Sequence, residues 1–143
     1  MTTNDSTPRS TTSQQSGALN YLGMDMFTAS YLKTALWSST DDNGTPLDAS
    51  DYADTELAEE TIERFKADCN RFREVHAELI QRALEYRSES HIAHDFWLTR
   101  NGHGAGFWDG DYPEELGEAL TRASKSFGEC DLYIGDDGKI HAA

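Results

Sequence analysis

The sequence predicts an α+β fold, in which helices are followed by a β-hairpin–helix–β-hairpin unit that forms a small antiparallel sheet. Apolar residues recur at spacings of three and four between residues 58 and 83, as they do along one face of a long helix. Apolar and polar residues alternate over residues 95–100, which is typical of a strand. A glycine-bounded turn at residues 135–138 lies between two further short apolar segments and indicates a second hairpin.

The first predicted elements are a polar tail and a short helix. Residues 1–17 are almost all small and polar, so they cannot bury enough apolar surface to fold, and we expect a disordered tail. Residues 18–143 then form a single domain, which is long enough to enclose one core. Apolar side chains over residues 25–37 follow a helical period, and residues 38–51 have the turn-rich composition of a loop.

The later elements are predicted from local signals of the same kind. The stripe of the long helix consists of Ala58, Ile62, Phe65, Cys69, Phe72, His76, Leu79 and Ala83. After the first strand, a glycine-rich turn at residues 101–104 leads to a returning strand at residues 106–109. Asp111 then suits the N-cap of a helix that reaches about Phe127. The second hairpin covers residues 131–141.

The charge of the chain argues against some classes of protein. It has 26 acidic and 12 basic side chains, a formal charge of −14, and the tail is neutral, so the acidity is spread over the domain. We expect no direct binding to nucleic acid, because phosphates require cationic partners. We also expect no membrane association, since no apolar run approaches the roughly 20 residues of a membrane span.

The N-terminal residues and the cysteines together indicate a compartment. Residues 1–16 lack the basic and apolar pattern of an export signal, so we expect a cytoplasmic protein. Cys69 and Cys130 match no metal-binding spacing. In a reducing compartment, we expect both thiols to be buried and unbridged.

Residues 91–111 concentrate the residue types that carry chemistry. They hold three of the five histidines and two of the three tryptophans, together with several glycines. One interpretation is a metal site of imidazole and carboxylate ligands, for which the candidates are His91, His94, His103, Asp109 and Asp111. Because no recognised ligand spacing accompanies them, we assign no metal ligand and no cofactor.

Two further interpretations of the same segment remain open. In a ligand-binding turn, the glycines would admit a ligand close to the backbone, and Arg100, Asn101 and His103 would present their side chains to it. No nucleophile with an adjacent base is present, so we assign no catalytic residue. In a recognition surface, Trp97 would lie on the outer face of the sheet and Trp108 would be a second aromatic anchor. The alternative is that the tryptophans belong to the core.

The segment of residues 94–109, HDFWLTRNGHGAGFWD, resembles a motif in a family of small proteins from bacteriophages, prophages and mobile elements. Residues 35–41 (ALWSSTD) and 131–138 (DLYIGDDG) extend the resemblance, which covers most of residues 27–140. The resemblance implies an accessory protein that acts inside a bacterial cell, where small acidic proteins often disable host defences. It implies no catalytic residues, since the family has no assigned activity.

These observations predict a small acidic phage-type accessory protein that binds and inhibits a host defence or nucleic-acid-handling complex. It would act as an anti-restriction or anti-CRISPR protein, by DNA mimicry, against a host complex with a basic surface. The alternatives are a self-associating module such as a homodimer and a small metal-dependent or ligand-binding enzyme that uses His94, Arg100, His103 and Asp109. The expected binding residues are Trp97, Arg100, Asn101, His103, Trp108, Asp109, Asp111, Glu114 and Glu115.

Overall fold

A computed structural model describes residues 23–103 and 105–143, so the predicted tail at residues 1–17 lies outside the described residues. Over the described ranges the chain forms five α-helices and one two-stranded antiparallel sheet, which confirms the α+β class. The elements are α1 (Met26–Ser38), a 3-10 turn (Ser50–Tyr52), α2 (Glu59–Val75), α3 (Ala77–Ala83), α4 (Glu89–Arg100), α5 (Glu114–Lys125), β1 (Leu132–Ile134) and β2 (Ile140–Ala142).

The first predicted helix is confirmed as α1. The carboxylate of Asp25 caps it and accepts a hydrogen bond from the Thr28 N–H at 2.9 Å. α1 packs against α4, and its Tyr31 is fully buried. The Tyr31 ring meets Phe65 and Trp97 edge-on, at centroid distances of 5.0 and 5.3 Å. These aromatic contacts place α1, α2 and α4 around one core.

The long helical stripe is interrupted at His76, which divides it into α2 and α3. Phe65, Cys69 and Phe72 of the stripe are completely buried, as expected. At His76 the backbone leaves the helical region (φ −115°, ψ 35°), and the ring packs against Phe72 at a centroid distance of 5.7 Å. Beyond this break, α3 contacts α5, and its Ala83 is buried.

The first predicted hairpin is wrong, since residues 95–100 belong to α4 and residues 106–109 form a loop. The other elements enclose α4, and its buried side chains are Ile92, Ala93, Asp95, Phe96, Trp97, Leu98, Thr99 and Arg100. A helix that is buried on most sides has no polar face, so the 3.6-residue period disappears from its sequence. The alternation over six residues therefore did not distinguish a strand from a buried helix.

The pair Asn101 and Gly102, a typical hairpin signal, ends a helix in this fold. Gly102 has a φ of +70°, and its N–H donates to the Thr99 carbonyl at 3.2 Å. The next N–H, that of His103, donates to the Leu98 carbonyl at 3.0 Å. These two bonds form a Schellman motif, which satisfies carbonyls in the last turn of α4. The glycine is required by the end of a helix instead of by a turn between strands.

The loop that follows α4 closes back onto it. The Thr99 hydroxyl accepts a hydrogen bond from the Phe107 N–H at 3.0 Å, and the Phe107 ring is buried. Gly106 passes so close that a Cβ atom there would lie 2.2 Å from Thr99 Oγ1. The N-cap of α5 lies two residues beyond the expected cap, Asp111, whose carboxylate instead contacts a side chain of α4.

The second predicted hairpin is confirmed by the antiparallel pairing of β1 with β2, in which Tyr133 lies opposite His141. The segment before α2 extends this pairing. The Ile140 N–H donates to the Glu56 carbonyl, and the Ala58 N–H donates to the Ile140 carbonyl, both at 2.9 Å. The hairpin therefore lies directly beside the start of α2.

The two cysteines, Cys69 and Cys130, are buried and unbridged, as the sequence indicates. Burial raises the pKa of both thiols, so each is protonated and poorly nucleophilic. Among the described residues, no helix combines the length and the apolar character that a membrane crossing requires.

Candidate functional site

Two of the expected binding residues lie in the core. Trp97 is 1% exposed, and its indole N–H donates to the Ser38 hydroxyl at 2.8 Å. Arg100 is 3% exposed. Since residues 95–100 are helical, the sheet face that was expected to present Trp97 does not exist. Neither side chain reaches a partner at the surface of this fold.

The guanidinium of Arg100 joins several elements of the core. It donates to Asp68 Oδ2 at 2.8 Å and to the Tyr31 hydroxyl at 2.9 Å. It also donates to the carbonyls of Gly128 and Phe127, at 2.8 and 3.0 Å. Burial disfavours the charged form, but Tyr31 and Asp68 outweigh it and hold the pKa of Arg100 above its usual value. Arg100 thus connects α1, α2, α4 and the segment after α5.

The neighbouring Asn101 also has a structural role. Its amide donates to the Trp97 carbonyl at 3.0 Å, and its oxygen accepts a hydrogen bond from the Cys130 N–H at 2.7 Å. His103 is partly exposed and lines a surface depression of about 460 Å³. The expected enzyme site also included His94 and Asp109. Because Arg100 is held in the core, its guanidinium is not accessible to a substrate, and no enzyme site forms around it.

The expected binding residues that the structure leaves exposed are Trp108, Asp109, Glu114 and Glu115. The Trp108 side chain is about half exposed and borders a depression of about 290 Å³, whose other lining residues include Tyr112 and Glu118. The Asp109 carboxylate accepts a hydrogen bond from the Gly106 N–H at 3.3 Å, which orders the loop. These side chains are accessible to a partner, and their role in binding stays a prediction.

One histidine and two carboxylates, His91, Asp95 and Asp111, form a group at the start of α4 that we call the His91 cluster. His91 and Asp95 are four residues apart on the helix and lie on one side of it, and Asp111 comes from the loop before α5. The Nε2 atom of His91 lies 3.3 Å from Asp95 Oδ2 and 3.0 Å from Asp111 Oδ2. The three donor atoms lie within 4.8 Å of one another. This arrangement brings together two of the five metal candidates, His91 and Asp111.

Three further side chains hold the carboxylates of the His91 cluster. The Tyr112 hydroxyl donates to Asp95 Oδ2 at 3.0 Å, and His94 Nδ1 lies 3.3 Å from Asp95 Oδ1. Arg87 donates to Asp111 Oδ1 at 2.9 Å. The Asp95 side chain is 2% exposed, and burial raises the pKa of its carboxyl group. The hydrogen bond from Arg87 lowers the pKa of Asp111.

A second feature, the acidic patch, consists of the carboxylates of Asp51, Asp54, Glu56, Glu60 and Asp137. The first three precede α2 and share a depression of about 340 Å³ with Asp137 and Lys139 of the hairpin. His141 lies between two members of the patch, 2.8 Å from Glu60 and 2.9 Å from Asp137. Asp137 makes the largest contribution to raising the pKa of His141.

Four of the five members of the acidic patch lie in a longer run of sequence without cations, and the hairpin adds Asp137 together with Lys139. Between residues 34 and 63 there is no Lys or Arg, and the acidic residues are Asp41, Asp42, Asp48, Asp51, Asp54, Glu56, Glu59, Glu60 and Glu63. All of them except Asp41 are exposed. Lys33 and Arg64 lie just outside the run, so charge totals over longer segments conceal it. This distribution corrects the expectation of an evenly spread charge.

Sequence reasoning missed the central residue of the His91 cluster, Asp95, and its partner Tyr112. Asp95 could have been identified from its position four residues after His91, because residues four apart are neighbours on the surface of a helix but not on a strand. Because residue 95 was assigned to a strand, that spacing was not used. No simple signal relates Asp111 or Tyr112 to α4, since a loop brings them there.

The His91 cluster and the acidic patch are the two features of the described surface that offer distinctive chemistry. The first joins an imidazole to two carboxylates, and the second concentrates negative charge beside the hairpin. Comparisons with protein-family models, with curated proteins and with solved structures found no match to this chain.

Proposed function

We propose that this protein binds and inhibits a host complex with a basic, nucleic-acid-binding surface, on which its carboxylates take the place of phosphates. The observation that carries the proposal is the cation-free run of residues 34–63, whose exposed carboxylates continue into the acidic patch. The resemblance to small phage and mobile-element proteins supports a target of the restriction or CRISPR type in the cytoplasm of a bacterial host.

The fold accommodates several like charges in a small area at the start of α2. Glu59 and Glu60 lie in the first turn of this helix, where the positive end of the helix dipole favours carboxylates. Glu56 and Asp54 precede the helix and add to the same region. His141 offsets part of the repulsion between Glu60 and Asp137. These carboxylates are exposed together beside the hairpin, as an imitation of phosphates requires.

Charge alone does not select a partner, and the exposed aromatic side chain supports a further contact. Electrostatic complementarity raises the association rate, and this effect weakens as salt is added. Trp108 is half exposed beside Glu114 and Glu118, so it combines a large apolar surface with negative neighbours. Such an anchor suits a basic partner and would supply specificity once the partner has been attracted.

The proposal is tested with a charge-reversal variant, D51K/D54K/E56K, and a matched control, E74K/E78K/E85K. Both sets of carboxylates are exposed, and both variants change the net charge by the same amount. The full chain is titrated into fluorescent duplex DNA bound to purified restriction and CRISPR effector complexes. We expect the wild-type chain to displace DNA from one of them, with an apparent affinity that falls by about tenfold or more between about 50 and 200 mM NaCl.

The two variants separate the patch from the overall charge. We expect D51K/D54K/E56K to weaken displacement by at least about tenfold, because three contacts become repulsive, while the control stays within about threefold of the wild type. Equal losses in both variants would mean that only net charge matters and would remove the patch from the proposal. Failure of the wild-type chain to displace DNA from any such complex would contradict the proposed function.

A further inference from the structure

We propose that the His91 cluster is a binding site for a divalent transition-metal ion, with His91 Nε2, Asp95 Oδ2 and Asp111 Oδ2 as its ligands. The first reason is that one ring nitrogen faces two carboxylate oxygens, at 3.3 and 3.0 Å. A ring nitrogen carries at most one hydrogen, so it cannot make a well-directed hydrogen bond to both oxygens at once. A cation between the three atoms would bind all of them.

The second reason is the spacing of the donor atoms. Ligands at about 2.0–2.2 Å from a tetrahedral metal ion are roughly 3.3–3.6 Å apart. The distance from His91 Nε2 to Asp95, 3.3 Å, is at the lower end of this range, and the distance to Asp111, 3.0 Å, is just below it. Each carboxylate turns the same oxygen, Oδ2, toward the imidazole of His91, and the three donor atoms all lie within 4.8 Å of one another.

The third reason is that the other oxygen of each carboxylate is already held by a donor. His94 Nδ1 lies 3.3 Å from Asp95 Oδ1, and Arg87 donates to Asp111 Oδ1 at 2.9 Å. Side chains of this kind orient ligands and tune metal affinity in known metal sites. The Tyr112 hydroxyl also contacts Asp95 Oδ2, and a carboxylate oxygen has a second lone pair with which to bind a metal ion.

Burial and ligand type indicate the class of ion. The Asp95 side chain is 2% exposed, while those of His91 and Asp111 are 35% and 30% exposed, so one side of the site is open to solvent. An ion there would keep a coordination position for water or for a small ligand. One imidazole and two carboxylates suit Zn²⁺, Mn²⁺, Fe²⁺ or Co²⁺ better than Ca²⁺ or Mg²⁺, which prefer oxygen ligands alone.

A second histidine with two carboxylate neighbours shows the contrasting arrangement and provides a matched control. In this group Nδ1 of His141 contacts Glu60 at 2.8 Å, and Nε2 contacts Asp137 at 2.9 Å. Each carboxylate has its own ring nitrogen, so a protonated imidazole satisfies both. The His141 group is therefore an ion pair, and we expect its loss to leave metal binding unchanged.

The test is calorimetric titration of ZnCl₂ and of MnCl₂ into the chelator-treated full chain, with the melting temperature as a second readout. We expect the wild-type chain to bind one Zn²⁺ per chain and to melt at a higher temperature when Zn²⁺ is present. H91A and D111N should each lose at least about 100-fold in affinity, and their melting temperatures should not respond to Zn²⁺. H141A should bind like the wild type. R87A should bind about tenfold more weakly, because Arg87 orients a ligand.

Several outcomes would overturn this assignment. The wild-type chain could bind neither Zn²⁺ nor Mn²⁺. H91A could bind the metal ion as tightly as the wild type does. H141A could lose as much metal affinity as H91A. Because the side chains of His91 and Asp111 are about one-third exposed, we expect both variants to fold, and circular dichroism checks this. The acidic patch is unchanged in H91A, so failure of the metal site would leave the proposed inhibitor function intact, and the reverse also holds.

Discussion

Arg100 joins three helices and the segment after α5 through a single side chain. Its guanidinium is almost fully buried and makes hydrogen bonds to a carboxylate, a hydroxyl and two carbonyls. A buried charge of this kind adds little stability compared with an apolar residue designed into the same space, but its removal deprives the buried Tyr31 hydroxyl, Asp68 and two carbonyls of a common donor. Arg100 therefore specifies how α1, α2 and α4 meet.

We predict that Arg100→Met lowers the free energy of unfolding by about 2–4 kcal/mol, because it leaves the buried Tyr31 hydroxyl without its donor and removes the shorter of the two ion pairs of Asp68. Arg100→Lys should recover only part of this loss, since an ammonium group cannot reproduce a planar fork of donors. Urea unfolding of the full chain measures both values. Arg122→Met, at an exposed position, is the control and should change stability by less than about 0.5 kcal/mol. A loss below about 1 kcal/mol in Arg100→Met would contradict the structural role.

At the scale of elements, the sequence identified most helices and one hairpin because their signals are local. Asp25 caps α1, and Phe65, Cys69 and Phe72 recur with the period of one buried helix face. The turn of the second hairpin was also recognised from its glycines and aspartates. In each case, the residues that determine the element lie within it or next to it.

The sequence misassigned α4, because local signals are ambiguous where an element is enclosed. Trp97 and Thr99 are as buried as Phe96 and Leu98, so no polar face reveals the helical period. The turn signal at residues 101–102 is also shared by hairpins and helix ends. With α4 taken as a strand, the functional interpretation lost the four-residue spacing that underlies the His91 cluster.

The contact between the hairpin and α2 leads to a prediction about pH. His141 of β2 lies between Asp137 of the hairpin turn and Glu60 of α2, and Asp137 foremost raises its pKa above the usual value of 6.5. A histidine with a raised folded-state pKa contributes stability that is full below about pH 6.5 and is lost as the pH rises through the folded-state value. Protonation of His141 therefore ties the hairpin to the helix.

We predict that wild type is more stable than His141→Gln at about pH 6, and that this difference shrinks as the pH rises toward about 9. Glutamine keeps a polar side chain of similar length but cannot carry the charge. Urea unfolding of both chains across this pH range measures the difference. A difference that stays constant or grows with pH would show that the charge of His141 does not stabilise the hairpin.

At the scale of the whole molecule, the acidic run lowers the stability of the fold while it serves the proposed function. Its exposed carboxylates lie in a region without Lys or Arg between residues 34 and 63. Like charges at such a density repel one another and oppose folding. The run can be recognised in the sequence, but only the fold shows that Asp137 of the hairpin lies beside it.

We therefore predict that the melting temperature of the wild-type chain rises as NaCl is increased from about 10 to about 300 mM, because salt screens repulsion beyond roughly the Debye length of about 10 Å at 0.1 M. D51K/D54K/E56K should melt at a higher temperature than wild type at low salt and should respond less to added salt. The control E74K/E78K/E85K makes the same change in net charge outside the run, so its melting temperature at low salt should rise less than that of D51K/D54K/E56K. Identical melting behaviour of the two variants would show that the charge of the chain acts only as a total. A larger rise in melting temperature for D51K/D54K/E56K than for the control would show that these carboxylates lower the stability of the fold. If the same variant also loses inhibitor activity, these carboxylates are the ones that the proposed partner contacts.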